Sequence, residues 1–331
     1  MQTTTDTTHP AGSGALGALP FQAGEPVAHR GISVTPLFPT TDPRCHYVTL
    51  AHAIGEGLVV KEVDESGDVG EIVVVNPTPH RVLLYDGEEI AGAKQDRIMN
   101  VSVLVEAGAT VHVPVSCIEV GRWRHESDAF RSADRTPTPR VRRAKALHLA
   151  EAPLERGVAQ SAVWDAVALA ESEHGFRSST SKHGDLIEHE RPRLTELARA
   201  FPLQPGQCGM VVAAGGRAVC ADAVSRPDAF AQLHGALLTG YLVDALPALD
   251  QPETAHEVTT RFLDQVGAAR RTDGPAAGLG TDLRLAGDAV VGSGLALDDE
   301  LIQLTAFGTD GPGGTATPGR ASRIARPTRR R

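Results

Sequence analysis

Between Ile72 and Cys117 the chain repeats one pattern, short β-branched runs parted by turn residues. Ile72 to Val75 is a continuous run, and Val82 to Tyr85 is a second apolar one. Val101, Val103 and Val105 then alternate with Ser102, Leu104 and Glu106, and Val111, Val113, Val115 and Cys117 alternate with His112, Pro114 and Ser116. A period of two belongs to strands, whose successive side chains leave opposite faces. In Asn76-Pro77-Thr78-Pro79-His80 each proline fixes its own φ and pushes its predecessor out of the helical region, which forces a turn. Ala107-Gly108-Ala109 is expected as a hairpin turn. Strands this short and this close predict a sandwich or a rolled sheet.

The flanks extend the reading. Gly31 to Leu37 and Gly57 to Val63 fit strands, whereas His46 to Ala53 fits a short helix or a strand equally well. Residues 154–173 carry Val163, Val167 and Ala170 on one stripe and predict an amphipathic helix, with a shorter helix over 191–200. Met210 to Ala214 and Ala218 to Ala221 predict a hairpin across Gly215-Gly216. Phe230, Leu233, Leu237 and Tyr241 share a helical face that Pro247 ends. Val258, Phe262 and Val266 mark another helix, and residues 289–297 and 301–307 read as strands. The fold class is therefore α+β: a β-rich, sandwich-like N-terminal half, then a helical segment and an α+β C-terminal half. By composition, residues 1–26 are expected to be a disordered arm and 27–123 the β-rich part. Residues 124–150 are expected to form an Arg-rich linker or flap, 151–308 the α+β part and 309–331 a disordered basic tail.

Composition narrows the function classes. A net charge of −9 argues against a nucleic-acid binder, since phosphate binding needs clustered cations, and only four of the 32 basic residues are Lys. Cys45, Cys117, Cys208 and Cys220 lie far apart with no CxxC, which is neither a disulfide framework nor a zinc signature. The thirteen His form no HxH or HExxH pattern, so no His-based metal site is expected; Asp86, Glu88 and Glu89 could bind a divalent metal, no metal ligand is assigned, and no cofactor is assigned. The start has no basic, then apolar, leader, and no run reaches about 18 apolar residues. A cytoplasmic protein with reduced thiols and no membrane span is the expectation.

Chemistry concentrates in Asp86 to Asn100, where Asp86, Glu88, Glu89, Lys94, Gln95, Asp96, Arg97 and Asn100 fall within fifteen residues punctuated by Gly87 and Gly92. A polar, glycine-bearing segment between strands is where binding residues tend to sit. Glu88 or Glu89 could act as an acid or base. In an extended segment Asp86 and Glu88 point one way and Glu89 the other, and an Asp-Gly turn with solvated acids is the alternative. Lys94 and Arg97 could hold phosphate while Gln95 and Asn100 orient a sugar, or the same cations could pair with Glu88 and Glu89. Cys117 continues the Val111–Val113–Val115 face and is expected to be buried. Its candidacy as a nucleophile rests on nearby Arg122. Arg122-Trp123 could stack on a base or close a core, and Asp282 with Arg284 could reach a ligand or form a surface pair. Gly292-Ser293-Gly294 lies within a strand, which suits a bulge more than a hydrolase elbow.

DGEEIAGAKQDRIMN and VPVSCIEVGRW, with PLFP from Pro36, QSAVW from Gln160, the Tyr241 to Leu246 helix end and GLGTDLRL from Gly278, resemble the bacterial ARG and rhodanese-phosphatase-superfamily-associated protein domain over residues 30–307. Asp96, Gln303 and Cys220 depart from the Asn, His and Gly that the resemblance leads one to expect. Had that His served as a base, this chain could not use it. The resemblance implies a link to NAD or ADP-ribose metabolism and functional association with ADP-ribosylglycohydrolases or phosphatases. The resulting expectation is a small-molecule, nucleotide-like ligand at Asp86–Asn100; the alternative is a non-catalytic interaction module.

Overall fold

The computed structural model describes residues 13–63, 70–119, 126–151, 160–178, 182–251 and 256–309. In chain order, β1 (Ser13–Ala15), β2 (Phe21–Ala23), β3 (Val27–His29) and β4 (Ile32–Pro39) precede β5 (Val48–Thr49) and α1 (Leu50–Gly55). Next come β6 (Val59–Glu62), β7 (Glu71–Val75), β8 (Val82–Leu84), β9 (Glu89–Gly92) and β10 (Arg97–Met99). They are followed by β11 (Val103–Val105), β12 (Thr110–Cys117), β13 (Phe130–Ser132), α2 (Pro139–Glu151), α3 (Gln160–Glu173) and α4 (His183–Ala198). The last third holds β14 (Gly209–Ala214), β15 (Arg217–Val224), α5 (Pro227–Ala245), α6 (His256–Ala268), β16 (Arg270–Pro275), β17 (Thr281–Ala286), β18 (Val290–Leu297) and β19 (Glu300–Gly308). The class is α+β.

The rolled form is the one the β-rich half takes. β10, β12, β7, β6, β13 and β9 close into a six-stranded barrel. Ile72, Val74, Val60, Met99, Val113, Val115 and Ile90 form its interior, as the alternation requires. The turn at Ala107–Ala109 does not make the expected hairpin. β11 pairs with β8 in a small three-stranded sheet completed by β5, while β12 turns into the barrel against β7 and β10. Local pattern cannot say which sheet a strand joins.

The larger element is a ten-stranded sheet of order β1-β16-β17-β18-β19-β15-β14-β4-β2, with β3 on β4. One face packs beneath α5, whose Phe230, Leu237 and Tyr241 are buried. The other face meets Phe262 and Val266 of α6. Truncating such a side chain to Ala costs roughly 3–5 kcal/mol for Phe and 2–5 for Leu.

This sheet cuts across the expected segment boundaries. β4 lies beside β14 of the C-terminal half. Residues 13–26, expected within a disordered arm, supply β1 against β16 and β2 against β4, covering two strand edges that would otherwise expose unpaired backbone groups. Residues 1–12 and the basic tail from 310 lie outside the described residues.

The largest departure concerns residues 124–150. The segment expected as a solvated linker contributes β13 to the barrel and then α2, where Arg142 and Lys145 are buried. Buried acids elsewhere in the chain balance them, and charge counting along the segment cannot see those acids. Of the helix expected over 154–173, residues 160–173 form α3, and 154–159 lie outside the described residues. β16 and β17 were not anticipated. No helix among the described residues is long and apolar enough to cross a membrane.

Candidate functional site

The polar word Asp86–Asn100 is not a surface loop. It folds as the β9–β10 hairpin, with Arg97 opposite both Ile90 and Cys117 and with Ile98 opposite Glu89 and Ser116. Every residue in it is buried except Lys94, which is half-buried. Its charges go to three separate places.

Asp86 points to the seam between barrel and large sheet. Its carboxylate pairs with Lys145 of α2 and accepts the Ser293 hydroxyl of β18 at 2.6 Å. Lys145 also donates to the Met99 carbonyl at 2.9 Å. Burial opposes ionisation of Asp86, but the charges of Lys145 and Arg142 outweigh it and hold the carboxyl below its usual range. Alongside, Asp222 of β15 takes two bonds from Arg142, one from Thr305 at 2.6 Å and one from the Tyr85 hydroxyl. Arg142 also donates to the Asp86 carbonyl at 3.2 Å, joining the two ion pairs. Arg284, paired with Asp282 at 2.6 Å, lies opposite Ser293, so both of these sequence candidates border this seam.

Arg97 enters the barrel. Its Nη1 lies 2.6 Å from Cys117 Sγ and its Nη2 lies 3.5 Å from Glu62. Burial raises the Cys117 thiol's pKa, with Arg97 working against it. Gln160 brackets the Cys117 backbone, accepting its N–H at 2.8 Å and donating to its carbonyl at 2.6 Å.

The third group lies where the hairpin's outer wall meets the start of α4. Glu89 pairs with Arg135 at 2.5 Å. Lys182, the residue before α4, stands 3.6 Å from Asp96 and 3.7 Å from Glu119. Gln95 donates to the Glu119 carbonyl at 3.1 Å, and Asp96 accepts the Gly92 N–H at 3.0 Å. Arg135 also packs on the backbone of Gly184, one residue from His183. Here several buried atoms have no hydrogen-bond partner among the described residues: Glu89 Oε2, Arg135 Nε and both ring nitrogens of His183. Burial, with some help from Arg135, lowers the His183 pKa to about 4. Burial raises the Glu89 pKa against the pull of Arg135.

Two residues stand apart. Glu88 turns back to accept the Tyr85 N–H at 3.1 Å, and burial pushes its pKa up to about 7. Asn100 accepts the Ser116 hydroxyl at 2.7 Å. Glu88 and Glu89 thus diverge as the alternation requires, but Asp86 and Glu88 do not converge, because Gly87 turns the chain between them. Arg122 and Trp123 lie outside the described residues. Lys145, Arg142, Asp222, Arg135 and His183 belong to these groups although the sequence does not single them out. Asp222, a lone acid in the apolar run Ala218 to Val224, was the one signal available. The five surface cavities described are lined by residues outside 86–100. No group of three or more His, Cys, Asp or Glu among the described residues is arranged to hold a metal ion.

The fold and site define an α+β protein in which a six-stranded barrel is clamped to a ten-stranded sheet through buried ion pairs. The chain belongs to the ARG and rhodanese-phosphatase-superfamily-associated protein domain family, whose model matches residues 20–307. No curated protein and no solved structure matches it.

Proposed function

We propose that the chain binds a phosphorylated, nucleotide-derived small molecule of the ADP-ribose type where the β9–β10 hairpin meets the start of α4. The carrying observation is the set of buried atoms on Glu89, Arg135 and His183 that have no hydrogen-bond partner among the described residues. The chemistry around them suits such a ligand. Arg135, Lys182 and the N-terminal end of a 16-residue helix favour phosphate, while Glu89 can accept a ribose hydroxyl. The family's name, which ties it to ADP-ribosylglycohydrolase and phosphatase proteins, supports the same ligand class.

Thermal-shift titration with ADP-ribose, NAD and AMP tests the reading. A binder gains about 2.7 kcal/mol at a ligand concentration one hundred times its Kd. Arg135→Ala is expected to abolish that gain while the protein still melts cooperatively.

A second reading, a non-catalytic interaction module, is favoured by the pairing of Asp86 with Lys145 and of Glu89 with Arg135, which makes the hairpin a rigid unit. The absence of any shift with the three nucleotides would select it.

A further inference from the structure

α2 carries a second pair of cations, Arg140 and Arg143, three residues apart and distinct from the buried Arg142 and Lys145. With Arg217 of β15 they line a cavity of about 200 Å³ between α2, α5 and the β14–β15 hairpin. Its walls are otherwise largely apolar, formed by Pro139, Val212, Val219, Tyr241 and Ala245. The acid lining it is Asp244, whose Oδ2 accepts the backbone N–H of Arg140 at 2.7 Å and whose pKa burial raises. Asp244 is the acid among the lining residues, and Glu173, outside the lining, pairs with Arg140.

Arg140 supplies an independent sign of a missing partner. Its side chain is 9% exposed, and its Nη2 holds Glu173 at 2.6 Å. Its Nε and Nη1 are buried and have no hydrogen-bond partner among the described residues. Arg143 donates to the Gly308 carbonyl at 3.1 Å, and burial lowers its pKa. Buried donors of a charged group left unbonded are costly, and an anion removes that cost.

We propose that this cavity binds a small organic monoanion, a short-chain or single-ring carboxylate, independently of the reading above. The volume lies below the range of about 300–1,000 Å³ usual for larger ligands, which limits size. The apolar walls require an apolar body, and the arginines take the carboxylate. Asp244 in the wall disfavours a dianion such as phosphate.

Calorimetric titration of the full chain with benzoate and hexanoate tests this, with benzamide and inorganic phosphate as controls. Saturable binding of at least one carboxylate is expected, at least tenfold tighter than either control. Arg143→Met is expected to weaken it at least tenfold. Ala214→Phe, which fills the cavity without removing a charge, is expected to abolish it and decides the matter should Arg143→Met not fold. The proposal fails if neither carboxylate saturates, if benzamide or phosphate binds as well, or if Ala214→Phe leaves binding unchanged.

Discussion

Arg142 grips Asp222 with two hydrogen bonds, Nη1 to Oδ2 at 2.9 Å and Nη2 to Oδ1 at 2.7 Å, and neither side chain reaches solvent. The pair ties α2 to β15, and through the Asp86 carbonyl it ties both to the barrel. Removing one partner leaves the other charge buried and unpaired, which costs about 3–5 kcal/mol. Asp222→Ala is therefore expected to lose that much in urea unfolding. The double variant Arg142→Met with Asp222→Leu, which removes both charges, is expected to lose much less. Equal losses in the two variants would contradict an electrostatic role for the pair.

Asp86 is held from two elements, so its bonds can be removed one at a time. Ser293→Ala deletes a hydrogen bond to a buried carboxylate, a change worth about 1.5–3 kcal/mol. Lys145→Met deletes the countercharge and is expected to cost about 3 kcal/mol or more. Because both act on one carboxylate, the double variant is expected to lose less than the sum, measured as a double-mutant cycle.

Gly87 is where the turn into the hairpin meets Arg142. Its φ is +82°, and a Cβ there would lie 2.7 Å from Arg142 Nε. The Asp-Gly turn preference made this glycine legible, but the residue it shelters was not. Gly87→Ala combines a left-handed backbone with displacement of a buried guanidinium. It is expected to destabilise by more than the roughly 1 kcal/mol of an ordinary glycine substitution, read as a fall in Tm.

How far the sequence carried depended on the range of the interaction. The strands of the barrel and the helices α5 and α6 follow from local alternation, because a buried face imposes its period on nearby residues. The barrel's closure, the entry of β4 into the C-terminal sheet and the fate of the turn at Gly108 are pairings across long separations, which periodicity does not encode. Among the site candidates, Asp86 and Glu89 were picked out by type, but their partners Lys145 and Arg135 stand 59 and 46 residues away. The segment holding those partners looked solvated because its cations outnumber its own acids. In three dimensions the acids come from β15, β9 and the turn after β8.

Two buried groups give the stability of this protein opposing dependences on pH. Burial moves Glu88 from its ordinary 4.5 to about 7, so between those values the folded state holds a proton that the unfolded state has lost. Stability contributed by Glu88 therefore falls as pH rises from 4.5 to 7. His183 moves from 6.5 to about 4, so between those values the unfolded state holds the extra proton, and stability rises with pH. Each arm is worth on the order of 3 kcal/mol, and over the shared window, roughly pH 4.5 to 6.5, they largely cancel. Glu88→Gln removes the falling arm, so its stability is expected to climb from pH 4 to 6.5 and to exceed that of the parent protein at pH 8. His183→Leu removes the rising arm and is expected to lose stability between pH 4.5 and 7. Urea unfolding at half-unit steps of pH checks both. Parallel profiles for the two variants would mean that neither group is buried in the state seen here.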